Sequence, residues 1–170
     1  MTKIINLFGS PGAGKSTHRA RIFAEMKIAG YKVEEVTEYA KDIVWEDRTN
    51  LFEDQLYILA KQNRRLSRLL NKVDFVVTDS PLLMNVVYAN ENVIFNETLK
   101  RLTIEIFNSY DNVNFFLNRT HLYQNYGRIH GEDHSNQLSV NIKNALIQHE
   151  QSFIEYNTHS FNFTELQKFL

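Results

Sequence analysis

The sequence contains no cysteine. That excludes disulfides, thiolate zinc sites and thiol nucleophiles, and it fits a reducing compartment. It also lacks a dominant charge: 19 Lys and Arg stand against 20 Asp and Glu, for a net charge of −1. No global basic field therefore draws the chain to nucleic acid or to a membrane, and any such attraction must come from a local patch. No apolar run reaches the length of a membrane span. The opening stretch Met1–Phe8 is too short for a signal peptide before it meets a glycine-rich motif. Repeats, low-complexity segments and interdomain linkers are lacking too. What is present is an ordinary globular composition over 170 residues, 43% hydrophobic and 23% charged. Such a chain suits one domain over residues 1–170, expected to be soluble and cytoplasmic.

Apolar runs bounded by turn residues alternate with helical patterns. The runs Lys3–Phe8, Tyr31–Thr37, Val73–Thr78 and Val113–Leu117 predict strands, with a fifth expected at Ser160–Phe163. Helical spacing predicts helices over Lys15–Ala29, Leu51–Leu70, Glu91–Tyr110 and Leu138–Tyr156. The polar stretch Arg119–Asn136, with Gly127 and Gly131, reads as a mobile loop. Strands alternating with helices imply an α/β fold: a parallel sheet of about five strands with helices on both faces.

The segment Gly9-Ser10-Pro11-Gly12-Ala13-Gly14-Lys15-Ser16, followed by Thr17, matches the G-x-x-x-x-G-K-[ST] phosphate-binding pattern in full. A strand precedes it and a helix follows, as that chemistry requires. The glycines let the backbone curl so that N–H groups face phosphate oxygens. The helix start adds its positive end. Lys15 supplies a cation for the β- and γ-phosphates, and the Ser16 hydroxyl is placed to hold magnesium. The expected cofactors are ATP and Mg2+.

Ligands of parallel α/β sheets sit beyond the carboxyl ends of the strands. Asp79 ends the Val73–Thr78 run, where its carboxylate can hold magnesium directly or through water. It can equally cap a helix begun by Ser80-Pro81. Glu38 follows Val36-Thr37 and can accept a proton from an attacking hydroxyl, or serve as a first-turn helix acid. Arg119 and Arg128 flank the polar loop, which makes 119–136 a candidate lid bringing guanidinium groups over the phosphates. A plain surface loop is the other reading.

Three further groups bear on an acceptor. Gln55 and Gln62 are seven apart on one helix and share a face, where amides can match a base edge or simply be solvated. The run Lys61–Lys72 carries five basic residues and no acid, which suits either a solvated helix end or a phosphate-backbone surface. Arg48 is a candidate acceptor clamp, and Trp45 or Tyr39 could stack on a ring. His121, His130 and His134, with Glu132 and Asp133, have no zinc-site spacing.

The cradle Gly9–Thr17, the stretch Thr37–Asp42, the helix Glu53–Tyr57, the strand end Thr78–Leu82 and the loop from Arg119 to Arg128 together resemble small bacteriophage P-loop kinases. These are similar to thymidylate kinase and to the nicotinamide riboside kinase domain of the bacterial NAD-salvage regulator. Within this group the chain looks most like the phage 5-hydroxymethyl-deoxyuridine DNA kinases. The resemblance covers nearly the whole chain. It implies a nucleotide-kinase-like sheet and a magnesium–ATP donor, with the roles above for Lys15, Ser16 and Asp79. It implies Glu38 near the acceptor and Arg128 over the phosphates. The implied reaction is transfer of the γ-phosphate to a hydroxyl of a thymine-like acceptor, foremost hydroxymethyl-deoxyuridine in DNA. DNA would need backbone contacts, for which Arg64, Arg65, Arg68 and Lys72 are available. Kinases of a free nucleotide or nucleoside, and a non-kinase regulatory NTPase, are the alternatives.

Overall fold

The computed structural model describes residues 1–89, 96–120, 122–123, 131–160 and 162–170. Strand β1 (Lys3–Phe8) is the centre of the molecule, and five of its six residues are buried. It pairs in parallel with β3 (Phe75–Thr78) on one side and β4 (Asp111–Asn118) on the other. Strand β2 (Val33–Val36) adds outside β3, and β5 (Ile154–Asn157) outside β4. The sheet is therefore parallel throughout, in the order β2-β3-β1-β4-β5.

Side chains alternate across a strand, so β1 feeds two cores. Ile5 and Leu7 face one, with Val33, Val77 and Leu117; helix α1 (Lys15–Ile28) covers it with Ile22 and Met26. Ile4 and Phe8 face the other, with Val76 and Phe116. That face is covered by α3 (Gln55–Ser67), α5 (Asn96–Asn108) and α6 (Glu132–Gln148) through Leu59, Leu66, Phe107, Ile142 and Leu146. Burying each large aliphatic side chain of this kind is worth about 1.5–3 kcal/mol. The smaller helices are α2 (Tyr39–Trp45), α4 (Met84–Tyr88) and α7 (Phe163–Leu166).

Several sequence boundaries move. The pattern read as one helix over Leu51–Leu70 is a 3-10 turn, Thr49–Glu53, followed by α3. Asp54 makes the break: its carboxylate accepts from the Tyr57 N–H at 2.9 Å and caps the new helix. The loop expected to run to Asn136 ends earlier, because α6 starts at Glu132. Glu132 and Asp133 fill its first turn, where negative charge suits the helix dipole. Helix α6 also stops at Gln148 rather than Tyr156. Glu150 there takes a positive φ of 54°, a turn made without glycine or proline and so without a sequence signal. The fifth strand is consequently Ile154–Asn157, upstream of the expected Ser160–Phe163.

Candidate active site

Three strand ends build the site. Beyond β1 the backbone turns through Gly9 at φ 145°, a conformation that L side chains rarely adopt. A Cβ at Gly9 would also stand 3.0 Å from both the Ala13 side chain and the Leu117 carbonyl. Gly14, at φ 83°, sits just before α1. Ser10 and Ala13 are buried beneath the loop, Lys15 is half-buried, and Ser16 and Thr17 are exposed at the open end of the helix. The first N–H groups of such a helix have no acceptor within it. Lys15 Nζ donates to the Gly9 and Ser10 carbonyls at 2.7 and 3.1 Å, so the ammonium lies within the cradle. Helix α6 braces the loop from outside: the fully buried Ser135 hydroxyl donates to the Pro11 carbonyl at 2.6 Å and meets the Ser10 hydroxyl at 3.1 Å.

Asp79 stands one residue past β3 and is 7% exposed. Helix α4 begins only at Met84, after Leu83, so Asp79 caps no helix. Arg19 Nε lies 3.2 Å from its Oδ2. Its Oδ1 is buried without a hydrogen-bond partner. A buried carboxylate oxygen with no donor carries a desolvation cost, and a divalent cation supplies what is missing. The residues present fit a divalent cation, which Asp79 and Ser16 would hold.

Glu38 follows β2 and is the residue before α2. Its side chain makes no capping bond there, so the carboxylate is not committed to the helix start. Burial raises its pKa above the ordinary 4.5; Lys15 and Lys41 oppose this, and the Asp79 charge adds to it. Lys15, Glu38 and Asp79 thus lie close enough for their charges to be felt at one point. Tyr88, at the end of α4, joins them: burial pushes its phenol upward and the Glu38 charge pushes it further. Nothing in the spacing of the sequence pointed to Tyr88, because α4 is too short to show a helical period.

The turn bearing Glu38 is held by α3. Gln62 accepts from the Tyr39 N–H at 2.9 Å and donates to the Thr37 carbonyl at 3.2 Å. It is 1% exposed, so it is neither a solvated residue nor a reader of a base edge. Gln55 is also buried and donates to the Phe52 carbonyl at 2.7 Å. Arg65 is engaged likewise: it pairs with Asp42, donates to Thr37 and lies over the Tyr39 ring. Tyr39 is buried with its hydroxyl 2.9 Å from that of Tyr57, which leaves exposed Trp45 as the ring open to stacking. Arg48 pairs with Glu46. Replacing Gln62 by leucine is expected to destabilise the protein by about 1–3 kcal/mol, because the Tyr39 N–H is left buried and unpaired. Urea unfolding curves measure this.

Arg119, beyond β4, pairs with Glu132 at 2.9 Å and donates to Asn136 at 2.8 Å, with Tyr123 against its guanidinium. Its Nη1 is buried without a hydrogen-bond partner. Arg128, with Gly127, His121 and His130, lies outside the described residues. A cleft of about 600 Å³ between α5 and α6, lined by Lys100, Arg101, Ile104 and Asn144 among others, shares no residue with this site.

A strand-loop-helix cradle at the centre of a parallel sheet, with carboxylates after β3 and β2 on one side of it, defines a P-loop protein of nucleotide-kinase-like architecture. The chain matches the AAA domain family over residues 4–162 and belongs to it. Its fold is similar to a NadR protein solved in complex with NR, at TM-score 0.76 and 15% identity over 99% of this chain. This chain spans about half of that one, 51%. It is similar to thymidylate kinase from Ehrlichia chaffeensis, at TM-score 0.62 and 14% identity, covering 98% of this chain and 97% of that one. Deoxyadenosine kinase from M. mycoides with bound dATP matches at TM-score 0.54 and 22% identity, over 97% and 95% of the two chains. At these identities the likeness is one of fold. No curated protein matches the chain in sequence. Among the described residues, no helix is long and apolar enough to cross a membrane.

Proposed function

We propose that the chain is a magnesium- and ATP-dependent kinase, acting as one domain over residues 1–170, that phosphorylates a hydroxyl of a nucleoside- or nucleotide-like acceptor. The observation that carries this reading is the placement of the cradle with Lys15, of Asp79 and of Glu38 after β1, β3 and β2, three consecutive strands of one parallel sheet. Phosphoryl transfer is chiefly positioning and charge stabilisation. The cradle Gly9–Thr17 binds the phosphates, and Lys15 neutralises charge on them. Ser16 and Asp79 hold magnesium, which when bound offsets charge on the phosphate oxygens. Glu38, whose pKa burial raises, lies after β2 beside Asp79 and Lys15, where its carboxylate can take a proton from the attacking hydroxyl. Arg119 offers its unpartnered Nη1 from the base of the segment 119–136, and Arg128 belongs to the same segment. A regulatory NTPase would need no acceptor-side carboxylate such as Glu38.

The acceptor is a thymine-like base or its nucleotide. For 5-hydroxymethyl-deoxyuridine in DNA the favouring observation is that Arg64 and Arg68, four apart on one side of the α3 end, are both exposed. Arg65 does not add to that surface, being engaged with Asp42 and Thr37.

The test is transfer of labelled γ-phosphate to hydroxymethyl-deoxyuridine DNA, thymidine monophosphate and nicotinamide riboside in parallel, with an acceptor-free control. Acceptor-dependent turnover is expected. For DNA, replacing Arg64 and Arg68 by glutamine should also lower the salt dependence of binding by about one unit of slope per lost phosphate contact. Acceptor-free hydrolysis at the full rate would mean a switch rather than a kinase.

A further inference from the structure

Arg19 has no part in the phosphate-binding motif, yet it ties the site together. It lies four residues after Lys15, so both cations leave α1 on one side. The face of the sheet under α1 carries Val33 of β2 and Val77 of β3. Alternation puts Glu35 and Asp79 on that same face, and the register sets Glu35 opposite Val77, one pleat short of Asp79. The two carboxylates consequently converge on the one guanidinium that α1 lays over them. Arg19 Nη1 pairs with Glu35, and its Nε lies 3.2 Å from Asp79 Oδ2. The guanidinium is well covered, with 13% of the side chain exposed, against 8% for Asp79 and 33% for Glu35. Charges in such surroundings are weakly screened.

The two oxygens of Asp79 are thus unlike. Oδ2 stands 3.2 Å from the Arg19 Nε as an ion pair without a hydrogen bond, Nε itself being buried with no hydrogen-bond partner; Oδ1 is buried and has no hydrogen-bond partner either. A planar guanidinium can hold two carboxylates in a fixed relation, which a rotating ammonium cannot. We infer that Arg19 is the positioning residue of Asp79. Anchored by Glu35, its charge pairs with Oδ2 and leaves Oδ1 as the carboxylate oxygen for the divalent cation bound with nucleotide. Magnesium suits a one-oxygen carboxylate, since it keeps an octahedral shell largely of water and phosphate. This inference rests on the kinase reading only in assigning the cation to Asp79.

The experiment is calorimetric titration of Mg2+ into protein saturated with a non-hydrolysable ATP analogue, with analogue binding in EDTA as the reference. Partners that orient a metal-binding group typically control affinity by 10–100-fold, so Arg19→Gln is expected to weaken Mg2+ by roughly that factor. Binding of the metal-free analogue should be unchanged. Arg19→Lys should recover part of the loss, and Glu35→Gln should shift Mg2+ in the same direction by less. Should Arg19→Gln fail to fold because two carboxylates lose their partner, the double variant Arg19→Gln/Glu35→Gln removes one of them and takes its place. Wild-type Mg2+ affinity in the folded variant would overturn the inference. With Asp79→Asn weakening Mg2+ at the same time, only the positioning role is lost. If Asp79→Asn is silent as well, the assignment of the cation to Asp79 fails with it.

Discussion

Replacing Lys15 by alanine is expected to lower phosphoryl transfer by at least about 10²–10³-fold while leaving the fold intact. Removal of a single preorganised donor from a transition state typically costs that much. The fold should survive because Lys15 is half-buried and the Gly9 and Ser10 carbonyls to which it donates belong to the loop. Single-turnover transfer rates, set beside thermal melts of the two proteins, separate chemistry from folding. Wild-type turnover in a well-folded variant would remove the basis for the kinase reading.

Glu38→Gln should show an equally large loss of activity and, at neutral pH, a gain in stability. A positioned general base contributes about 10²–10⁴-fold, and the amide cannot accept the proton. The stability effect follows from the direction of the Glu38 shift. Burial raises its folded-state value above the ordinary 4.5. The folded protein then holds a proton that the unfolded chain has released, so stability falls as pH rises from 4.5 through the raised value. Below 4.5 both states are protonated and the full stability is present. Glutamine abolishes that slope. Melting temperatures of the two proteins across this pH window test it, and parallel curves would show that Glu38 is not held in a charge-disfavouring place. The wild-type kcat should also fall on the acid side at a pH above the usual carboxylate range.

The parts of this site that could be read from sequence are those set by local chain geometry. The cradle requires glycines, a lysine and a hydroxyl residue at fixed offsets, so Gly9–Thr17 announces itself. Asp79 and Glu38 were legible because a parallel sheet presents ligands at its strand ends, and both follow apolar runs. What could not be read was partnership across the chain. Gln62 looks like a helix-surface amide until the Thr37–Tyr39 turn is found folded onto it. Arg65 looks like part of a basic run until Asp42 is found beside it. Both are engaged by a neighbour more than 20 positions away, and no periodicity encodes that. The same holds for Arg19, whose two carboxylates come from different strands. The extents of α2 and α4, which only local cap signals hinted at, and the early end of α6 escaped for another reason: short helices and a non-glycine turn at Glu150 leave too little periodic pattern to recognise.

The direct pairing of β1 with β3 makes the sheet act as a ruler. Ile5 lies opposite Val77 and Asn6 opposite Thr78, so Asp79 comes level with Leu7, two residues before the cradle starts at Gly9 on the paired strand. Neighbouring strands stand about 4.8 Å apart in any such ladder. The gap between phosphate loop and carboxylate is therefore set by the peptide backbone, with little dependence on which side chains fill the core. Sequences can then drift far apart and still keep that spacing. Tolerance to change is uneven for the same reason. Substitutions on the outer surfaces of the helices leave the ruler untouched, whereas deleting one residue within Phe75–Thr78 would turn Asp79 to the opposite face of the sheet, away from Arg19 and the cradle alike.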